Sequence, residues 1–300
     1  MLLKVPSHPD LKRIVVINPK GGSGKSTLAT NVAGFLSSTG HSAALMDFDP
    51  QGSALRWLRN RSKQRAEVYG IAACERDVTM TRSFQMRVPR HIRYLVIDTP
   101  AAMQAPDLAE FTRGAHAILV PVLPSDIDIH AAARFISDLL LVAKVSRRMG
   151  RLGVVANRVR ENTVGYRKLM RFLDRLSIAV IGELRDSQSY VHAVDQGLSI
   201  HEMQPSRVLK DLAGWKPITA WLEARLETAL TARDLLQPCE PETVPPATPD
   251  QAACPGKKTV VRSPPPGSVN FPGSAGISPA VPRTPDCEPP SLGRAHDPAE

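Results

Sequence analysis

The stretch that decides the fold is residues 13–27, RIVVINPKGGSGKST. Its β-branched run, residues 13–18, is typical of a buried strand in a parallel sheet. A glycine-rich turn follows, and the pattern from Lys25 to Leu36 predicts a helix. A strand, a glycine turn and a helix N-terminus in this order surround an anion with backbone N–H groups and the positive end of the helix dipole. The stretch therefore predicts a phosphate site at the carboxyl end of the first strand.

The predicted phosphate loop carries residue types that bind a nucleoside triphosphate with Mg²⁺. We expect Lys25 to reach the β- and γ-phosphates, the Ser26 hydroxyl to ligate Mg²⁺, and Thr27 to lie near the α-phosphate. The loop departs from the common P-loop pattern, because Pro19 stands where its first glycine is expected and a second lysine, Lys20, follows. The backbone expected to curl around the phosphates comprises Gly21, Gly22, Ser23 and Gly24.

Two further predicted strands end in acidic residues. The segment DFDPQGSA, residues 47–54, follows a strand at 42–47, and YLVIDTPAA, residues 94–102, ends its strand in Asp98. The carboxyl ends of parallel strands meet at one edge of a sheet, where ligands bind in folds of this kind. Carboxylates there are well placed for Mg²⁺ and water, and an apolar strand ending in aspartate is typical of a carboxylate that bonds Mg²⁺-bound water.

These motifs together resemble the deviant-Walker-A ATPases of the ParA/MinD superfamily, to which KGGSGKST at residues 20–27 is highly specific. The resemblance covers about residues 13–205 and is strongest to small ParA proteins of the ParF type, with YVHAVDQGLSIHE at 190–202 contributing. It implies ATP and Mg²⁺ as cofactors and a homodimer when ATP is bound. Proteins of this type lack an N-terminal helix-turn-helix domain, and only twelve residues precede the first predicted strand here.

The resemblance also implies roles for individual residues. Lys20 matches the lysine that reaches across an ATP-bound dimer to the partner's phosphates, which couples hydrolysis to dimerisation much as an arginine finger does. Asp49 matches the aspartate that positions the attacking water, and Asp47 the one near the Mg²⁺ shell. VPVLPSDID at residues 120–128 resembles a segment near the dimer interface. Asn157 stands where relatives contact adenine; the alternative is a strand-end asparagine that satisfies a turn.

The rest of the chain alternates predicted strands and helices. This order predicts an α/β fold, a single P-loop NTPase domain with a mostly parallel twisted sheet and helices on both faces. The last helix is expected to break at Pro217. Further strands are predicted at residues 68–73, 117–122, 152–157 and 178–183, and further helices at 51–60, 77–90, 106–114, 128–148, 163–176, 187–196 and 207–231.

Composition divides the chain near residue 237. Sixteen of the 27 prolines fall in residues 238–300, and such a composition buries too little apolar surface to offset the entropy of the chain. We therefore expect an N-terminal extension at residues 1–12, an ATPase domain at 13–236 and a disordered Pro-rich tail at 237–300. The tail either tethers a partner through polyproline II segments or acts as a plain linker.

The charge and composition of the compact part bound the classes of function. Residues 1–237 hold 33 Lys or Arg against 22 Asp or Glu, an excess that indicates an anionic partner. No apolar run reaches the length of a membrane-spanning helix, and the first residues are too polar for a signal peptide. Cys74, the single cysteine of this part, forms neither an internal disulfide nor a paired-cysteine metal site. We expect a cytoplasmic protein associated with the nucleoid.

The helix predicted at residues 163–176 favours DNA as that partner. Its apolar stripe leaves a cationic face, and phosphate contacts from such a face give affinity with little sequence preference. The alternative is a solvated basic face without a partner. The candidate DNA-binding residues are Arg158, Arg160, Arg167, Lys168, Arg171 and Arg175, with Arg207 and Lys210 added because relatives carry DNA-contacting basic residues near there.

The predicted function is a ParA-type ATPase that forms an ATP-bound sandwich dimer and binds double-stranded DNA non-specifically. A ParB-like or cargo-adaptor protein would stimulate its slow hydrolysis, and the cargo would be a plasmid, a chromosome locus or a protein assembly. The alternative is a MinD-like or other nucleotide-gated switch that does not act on DNA. A membrane-bound form is disfavoured because the chain ends in a Pro-rich, slightly acidic segment and not in a basic amphipathic helix.

Overall fold

The computed structural model describes residues 8–234 apart from 75–78, 80, 147 and 176–177. Its centre is a seven-stranded sheet in which every pair of neighbouring strands is parallel. The strands are β1 (Lys12–Val16), β2 (Ala43–Asp47), β3 (Val68–Ala72), β4 (Tyr94–Asp98), β5 (Ala117–Val122), β6 (Leu152–Val159) and β7 (Ala179–Arg185). Their order across the sheet is β3-β2-β4-β1-β5-β6-β7.

Helices cover both faces of the sheet, as the alternation of elements predicts. The helices are α1 (Lys25–Ser38), α2 (Ser53–Asn60), α3 (Arg82–Gln85), α4 (Ala105–Thr112), α5 (Asp126–Leu141), α6 (Val164–Arg175), α7 (Ser189–Asp195) and α8 (Pro205–Asp234), with a 3₁₀ turn at Ile200–Glu202. The α4, α5 and α6 side chains pack in one apolar cluster, and those of α1, α2, α7 and α8 pack in the other. The predicted α/β fold is therefore confirmed.

The central strand β1 shows why these residues form a buried parallel strand. All five of its residues are buried. Ile14 and Val16 belong to the apolar cluster on one face, while Val15 belongs to the cluster on the other. Successive side chains of a strand point to opposite faces, so a continuous β-branched run fits a strand that is covered on both sides.

The register of the sheet brings the polar strand ends together. Asp47 at the end of β2 is paired with Asp98 at the end of β4, and Asp98 is paired with Val16 at the end of β1. Three adjacent strands therefore end level, and α1 follows β1 through the glycine-rich loop at this same edge. Strand order also reverses at β1, which lies between β4 and β5. Ligands of open α/β sheets bind at such a switch point.

The predicted extents of two helices are wrong. The helix expected at residues 128–148 ends at Leu141, and Lys144 adopts a φ of 53°, which a continuing right-handed helix does not permit. Of the helix expected at 77–90, the described residues form only the single turn α3. Other boundaries differ from the prediction by a few residues; for example, β1 begins at Lys12, within the predicted N-terminal extension.

The predicted break at Pro217 is also wrong. α8 continues through Pro217, and the residue with non-helical φ and ψ is Val208, nine positions earlier. A proline inside a helix removes one backbone hydrogen bond. Trp215 and Ile218, on either side of it, are fully buried, so core packing holds the helix together there. None of the described helices is long and apolar enough to cross a membrane. The predicted tail at 237–300 lies outside the described residues.

Candidate nucleotide-binding site

The glycine-rich loop adopts a backbone that requires glycine. Gly22 has a φ of 75° and Gly24 a φ of 91°, values that residues with a side chain rarely adopt. A Cβ at Gly24 would also collide with Nδ2 of Asn157. That Nδ2 donates a hydrogen bond to the Ser23 carbonyl (2.8 Å). Asn157, at the end of β6, therefore fixes the loop that precedes α1, in addition to lining the adjoining cavity.

The start of the loop is held by a residue that the sequence does not single out. Nδ2 of Asn18 donates to the Pro121 carbonyl (2.7 Å) at the end of β5, and its Oδ1 accepts from the backbone N–H of Lys20 (2.9 Å). The loop after β4 adds a second anchor, because the N–H of Ala102 donates to the Pro19 carbonyl (2.8 Å). The phosphate loop is thereby tied to the strands on both sides of β1 before any ligand binds.

Lys25 lies at the base of the loop with little exposed surface. The residue is 5% exposed, and its Nζ donates to the Lys20 carbonyl (3.3 Å). Burial lowers the pKa of Lys25, and the nearby carboxylates of Asp98 and Asp49 raise it again in part. An ammonium has three N–H donors. A buried one that donates to a backbone carbonyl at the base of this loop is well suited to meet the charge of a phosphate.

Asp98 is a buried carboxylate beside the Ser26 hydroxyl. It is fully buried, and neither of its oxygens accepts a backbone N–H from the described residues. Burial raises the pKa of Asp98 to about 7; the nearby Ser26 hydroxyl and Lys25 lower it, while Asp47 and Asp49 raise it further. Buried polar groups normally find partners. Carboxylate oxygens that accept no described backbone N–H, beside the Ser26 hydroxyl, therefore fit a cation or its bound water.

Asp47 lies beside Asp98 but has its oxygens occupied. Oδ1 accepts from the N–H of Asp49 (2.9 Å), and Oδ2 accepts from the N–H groups of Ala54 and Leu55 (both 3.1 Å). Burial raises the pKa of Asp47, and these three bonds lower it in part. The Asp47 side chain thus shapes the turn after β2 and ties down the first turn of α2.

The donor set fits Mg²⁺ together with a nucleoside triphosphate. No group of three His, Cys, Asp or Glu side chains that could hold a metal occurs in the described part of the chain. Ser26 and Asp98 offer one hydroxyl and one carboxylate, or water bound to them, and Mg²⁺ typically takes one or two protein carboxylates and completes its shell with water and substrate phosphates. The residues present therefore fit a magnesium ion that arrives with its nucleotide.

Two cavities meet at this edge of the sheet. The first, about 330 Å³, is lined by the glycine loop, Lys25, Ser26, Asp49 and Trp57. The second, about 400 Å³, is lined by Asn157 and by residues that follow β7. Thr27, Arg158 and Val194 line both. One connected cleft thus runs from the phosphate loop to the end of β7.

Lys20 does not point into free solution in this chain. Its Nζ forms an ion pair with Asp128, in the first turn of α5. Asp128 is held in turn by Ser125, the N-cap of α5, which donates its hydroxyl to the carboxylate and accepts the backbone N–H of Asp128 (3.2 Å). The segment VPVLPSDID at residues 120–128, which the resemblance puts near a dimer interface, therefore contacts the lysine that is expected to cross that interface. Sequence reasoning missed this partner.

The candidate DNA-binding residues fall into three places. Arg167, Lys168, Arg171 and Arg175 are exposed on α6, where Lys168 pairs with Asp126 (2.7 Å). Arg160 pairs with Asp186, and Arg158 lines the nucleotide cleft. Arg207 and Lys210 are exposed on α8. The structure therefore gathers only the four α6 cations on one helix surface, which we call the α6 surface.

Comparisons with known proteins agree with this fold. The profile of the CobQ/CobB/MinD/ParA nucleotide binding domain matches residues 14–200. The maintenance of carboxysome distribution protein A of Halothiobacillus neapolitanus is 27% identical over 192 residues, which are 63% of this chain and 87% of that protein. The ATP complex of an McdA variant from Cyanothece has a TM-score of 0.51 at 17% identity and covers 72% of this chain and 97% of that one. A chain of the MinC:MinD cell division protein complex of Aquifex aeolicus has a TM-score of 0.51 at 19% identity and covers 76% and 98%.

Proposed function

The chain belongs to the CobQ/CobB/MinD/ParA nucleotide-binding domain family, and from that premise we propose that it is a Mg²⁺-dependent ATPase of the ParA type that positions a cargo in the cell. In its ATP-bound state it forms a sandwich dimer that binds DNA non-specifically on the nucleoid. A ParB-like or adaptor protein on the cargo stimulates hydrolysis and releases the dimer from DNA.

The observation that carries this proposal is that two buried charged groups, Lys25 and Asp98, lie close enough at the base of the cleft to influence each other's pKa. The Lys25 ammonium, at the start of α1, has a backbone carbonyl as its hydrogen-bond acceptor, and the Asp98 carboxylate, at the end of β4, has the Ser26 hydroxyl beside it and no donor in the described backbone. Such groups are costly to bury alone. A Mg²⁺–nucleotide complex would offer a phosphate to the ammonium and a cation to the carboxylate.

Each residue of the cleft takes one part in this reaction. Lys25 holds the β- and γ-phosphates, while Ser26 and Asp98 hold Mg²⁺, which when bound neutralises charge that develops on the phosphate oxygens. Asp49, half-buried on the wall of the same cavity, orients the attacking water. Lys20 leaves Asp128 and meets the phosphates of the partner subunit's nucleotide. Asn157 and Thr27 flank the remainder of the nucleotide.

The relatives bear on the cargo. A protein for carboxysome distribution is similar over most of its length, which favours a protein assembly as the cargo over a plasmid or a chromosome locus. The second candidate function is a nucleotide-gated switch that acts on a protein and not on DNA. The similarity to a chain of a MinC:MinD complex is the observation in its favour.

Binding of duplex DNA by the purified protein, with ATP, with ADP and without nucleotide, tests the proposal across a salt series. We expect binding that requires ATP and weakens steeply as salt rises. Asp49→Ala should bind DNA with ATP at least as well as the wild type, because it binds ATP without hydrolysing it. Lys25→Ala should bind neither ATP nor DNA. Dimerisation with ATP but no DNA binding at any salt would reject the DNA-borne mechanism in favour of the protein switch.

A further inference from the structure

A second cationic surface lies far from the α6 surface along the sheet. Residues 56–65, RWLRNRSKQR, which we call the α2–β3 segment, contain five Lys or Arg and no Asp or Glu. Arg56, Arg59, Lys63 and Arg65 are exposed, and none of them forms an ion pair with a residue that the structure describes. The segment leads into β3, one edge of the sheet, whereas α6 precedes β7, the other edge.

The fifth cation holds the segment in place. Arg61 is 5% exposed and pairs with Glu202, which is 4% exposed, through Nη1 (2.9 Å) and Nη2 (2.6 Å). The same guanidinium donates to the carbonyls of Gly197 (3.0 Å) and Ala66 (2.8 Å). A buried, fully bonded arginine of this kind fixes the turn that presents its exposed neighbours. The four exposed cations therefore extend from an ordered backbone.

The segment is also joined to the nucleotide cleft. Trp57 lines the phosphate cavity, and the Arg61 guanidinium lies 5.1 Å from the centre of its ring. Asn31 of α1 donates to the Thr27 carbonyl (2.8 Å) and accepts the N–H of Ile200 (2.7 Å), at the start of the turn that carries Glu202. A hydrogen-bonded path thus connects the phosphate loop, the Ile200–Glu202 turn and the α2–β3 segment.

The chemistry of the exposed face favours a polyanion over a protein partner. Its exposed side chains from residue 59 to 65 are all polar, so it lacks the buried aromatic or aliphatic anchors of a protein interface and the apolar face of a membrane-binding helix. Arg56 and Arg59, three residues apart on α2, repel each other in the free protein. Guanidinium groups bind phosphate oxygens in a bidentate manner.

We propose that the α2–β3 segment is a second surface that contacts DNA phosphates, separate from the α6 surface. The inference rests on the proposed function, because it concerns the same DNA-bound state. Two surfaces at opposite edges of one sheet would let each subunit contact DNA at two places. The α6 surface has one of its four cations neutralised by Asp126, while the α2–β3 segment has its four exposed cations free of described carboxylates.

The test compares three triple variants for ATP-dependent binding to duplex DNA over a salt series. The first is Arg59→Gln, Lys63→Gln and Arg65→Gln. The second, on the α6 surface, is Arg167→Gln, Lys168→Gln and Arg171→Gln. The control removes the same charge from exposed residues on neither surface and is Arg87→Gln, Arg90→Gln and Arg113→Gln.

We expect the first variant to bind at least about tenfold more weakly than the control near 0.15 M salt. The slope of log affinity against log salt should decrease in magnitude by about 0.9 for each DNA phosphate that the variant no longer neutralises. ATP affinity and basal ATPase activity should stay unchanged, since Arg61 and Trp57 are untouched. The unchanged ATP affinity shows that the triple variant is folded. Arg59→Lys with Arg65→Lys, which keeps both charges, should retain most of the slope and so attributes the weaker binding to the loss of charge.

Three results overturn the inference and are distinguishable. If the wild type binds DNA with ATP and the α6 variant loses binding, but the α2–β3 variant matches the control in affinity and slope, then this surface is wrong and the proposed function stands. If the wild type binds no DNA with any nucleotide, both fail. Loss of binding to vesicles of anionic lipid, with DNA binding unchanged, would also reject a DNA surface here.

Discussion

The ends of β2 and β4 are neighbours in the sheet, and each carries a fully buried aspartate. Asp47 and Asp98 are paired in register, and burial raises the pKa of both. Their surroundings differ. Three backbone N–H groups bond to Asp47, whereas Asp98 accepts no N–H from the described backbone and has the Ser26 hydroxyl beside it.

Under the proposed function, this difference separates a carboxylate that shapes the turn beside the site from one that binds the ligand. The bonds to Asp47 are made when the chain folds, and they position Asp49 and the start of α2. The oxygens of Asp98 accept no N–H of the described backbone, and under the proposed function they hold Mg²⁺ or its bound water. A buried carboxylate without such bonds lowers the stability of the free protein, so its presence is informative about ligand binding. Two aspartates on neighbouring strands therefore have different roles in the proposed site.

The largest effect that sharpens this comparison concerns turnover. We expect Asp98→Asn to lower the Mg²⁺-dependent ATPase rate at least about 100-fold, because an amide cannot supply the negative charge that holds the cation. Nucleotide binding without Mg²⁺ should change little, since Lys25 and the loop are intact. Steady-state hydrolysis and binding of a fluorescent nucleotide measure the two. Full activity in the variant would remove Asp98 from the magnesium site.

The second effect is on stability as a function of pH, without nucleotide or Mg²⁺. The pKa of Asp98 is raised to about 7 in the folded protein by burial, above its value in the unfolded chain, so folding takes up a proton between about pH 4 and 7. Stability should therefore fall as pH rises through this range, with a slope of at most about 1.4 kcal/mol per pH unit from this group. Asp98→Asn should lose this component.

Denaturant unfolding of wild type and Asp98→Asn at a series of pH values measures this dependence. The difference in the free energy of unfolding should favour the variant increasingly toward about pH 7 and shrink near about pH 4. A difference that stays constant with pH would contradict the raised pKa. Adding Mg²⁺ and a nucleotide analogue should reverse the trend for the wild type alone, because the bound cation favours the ionised carboxylate.

The third effect tests the other half of the comparison. We expect Asp47→Asn to destabilise the fold by about 2 to 3 kcal/mol, because its amide group would face an N–H donor that now bonds to the carboxylate. The measurement is the free energy of unfolding near neutral pH without ligand, with Asp98→Asn as the matched control that changes the same atoms one strand away. A loss of ATPase turnover without a loss of stability would instead indicate that Asp47 acts directly in hydrolysis.

The sequence predicts the place of this site better than the division of roles within it. The strand, glycine turn and helix at residues 13–36 lie where the pattern puts them, and so do the two strand-end aspartates. The partners of Asp47 are backbone groups of a turn whose shape no residue pattern specifies. Asn18 likewise acts through a backbone carbonyl about a hundred residues away, and Ser125 acts as the N-cap of α5.

Misplaced helix ends have a similar cause. The apolar spacing of α5 continues past Leu141, but Lys144 turns into a left-handed conformation. Pro217 lowers the intrinsic helix preference of α8, yet burial of Trp215 and Ile218 outweighs it. Local patterns give the preference of each segment, and tertiary packing decides where that preference is overruled.

The smallest effect concerns a third carboxylate at this edge, Asp128, which is paired with Lys20 in the single chain. In the proposed dimer Lys20 would have to leave this partner to reach the phosphates of a second subunit, so Asp128 would compete with dimerisation. We expect Asp128→Asn to strengthen ATP-dependent dimerisation by a few-fold, equivalent to less than about 1 kcal/mol for a partly exposed pair.

Lys20→Ala should bind ATP and dimerise poorly. Analytical ultracentrifugation with ATP compares the two variants, each combined with Asp49→Ala so that ATP is not hydrolysed during the measurement. If Lys20→Ala dimerises as the wild type does, Lys20 acts within its own chain. Its ion pair with Asp128 would then hold the phosphate loop in place, as the hydrogen bonds of Asp47 hold the turn after β2.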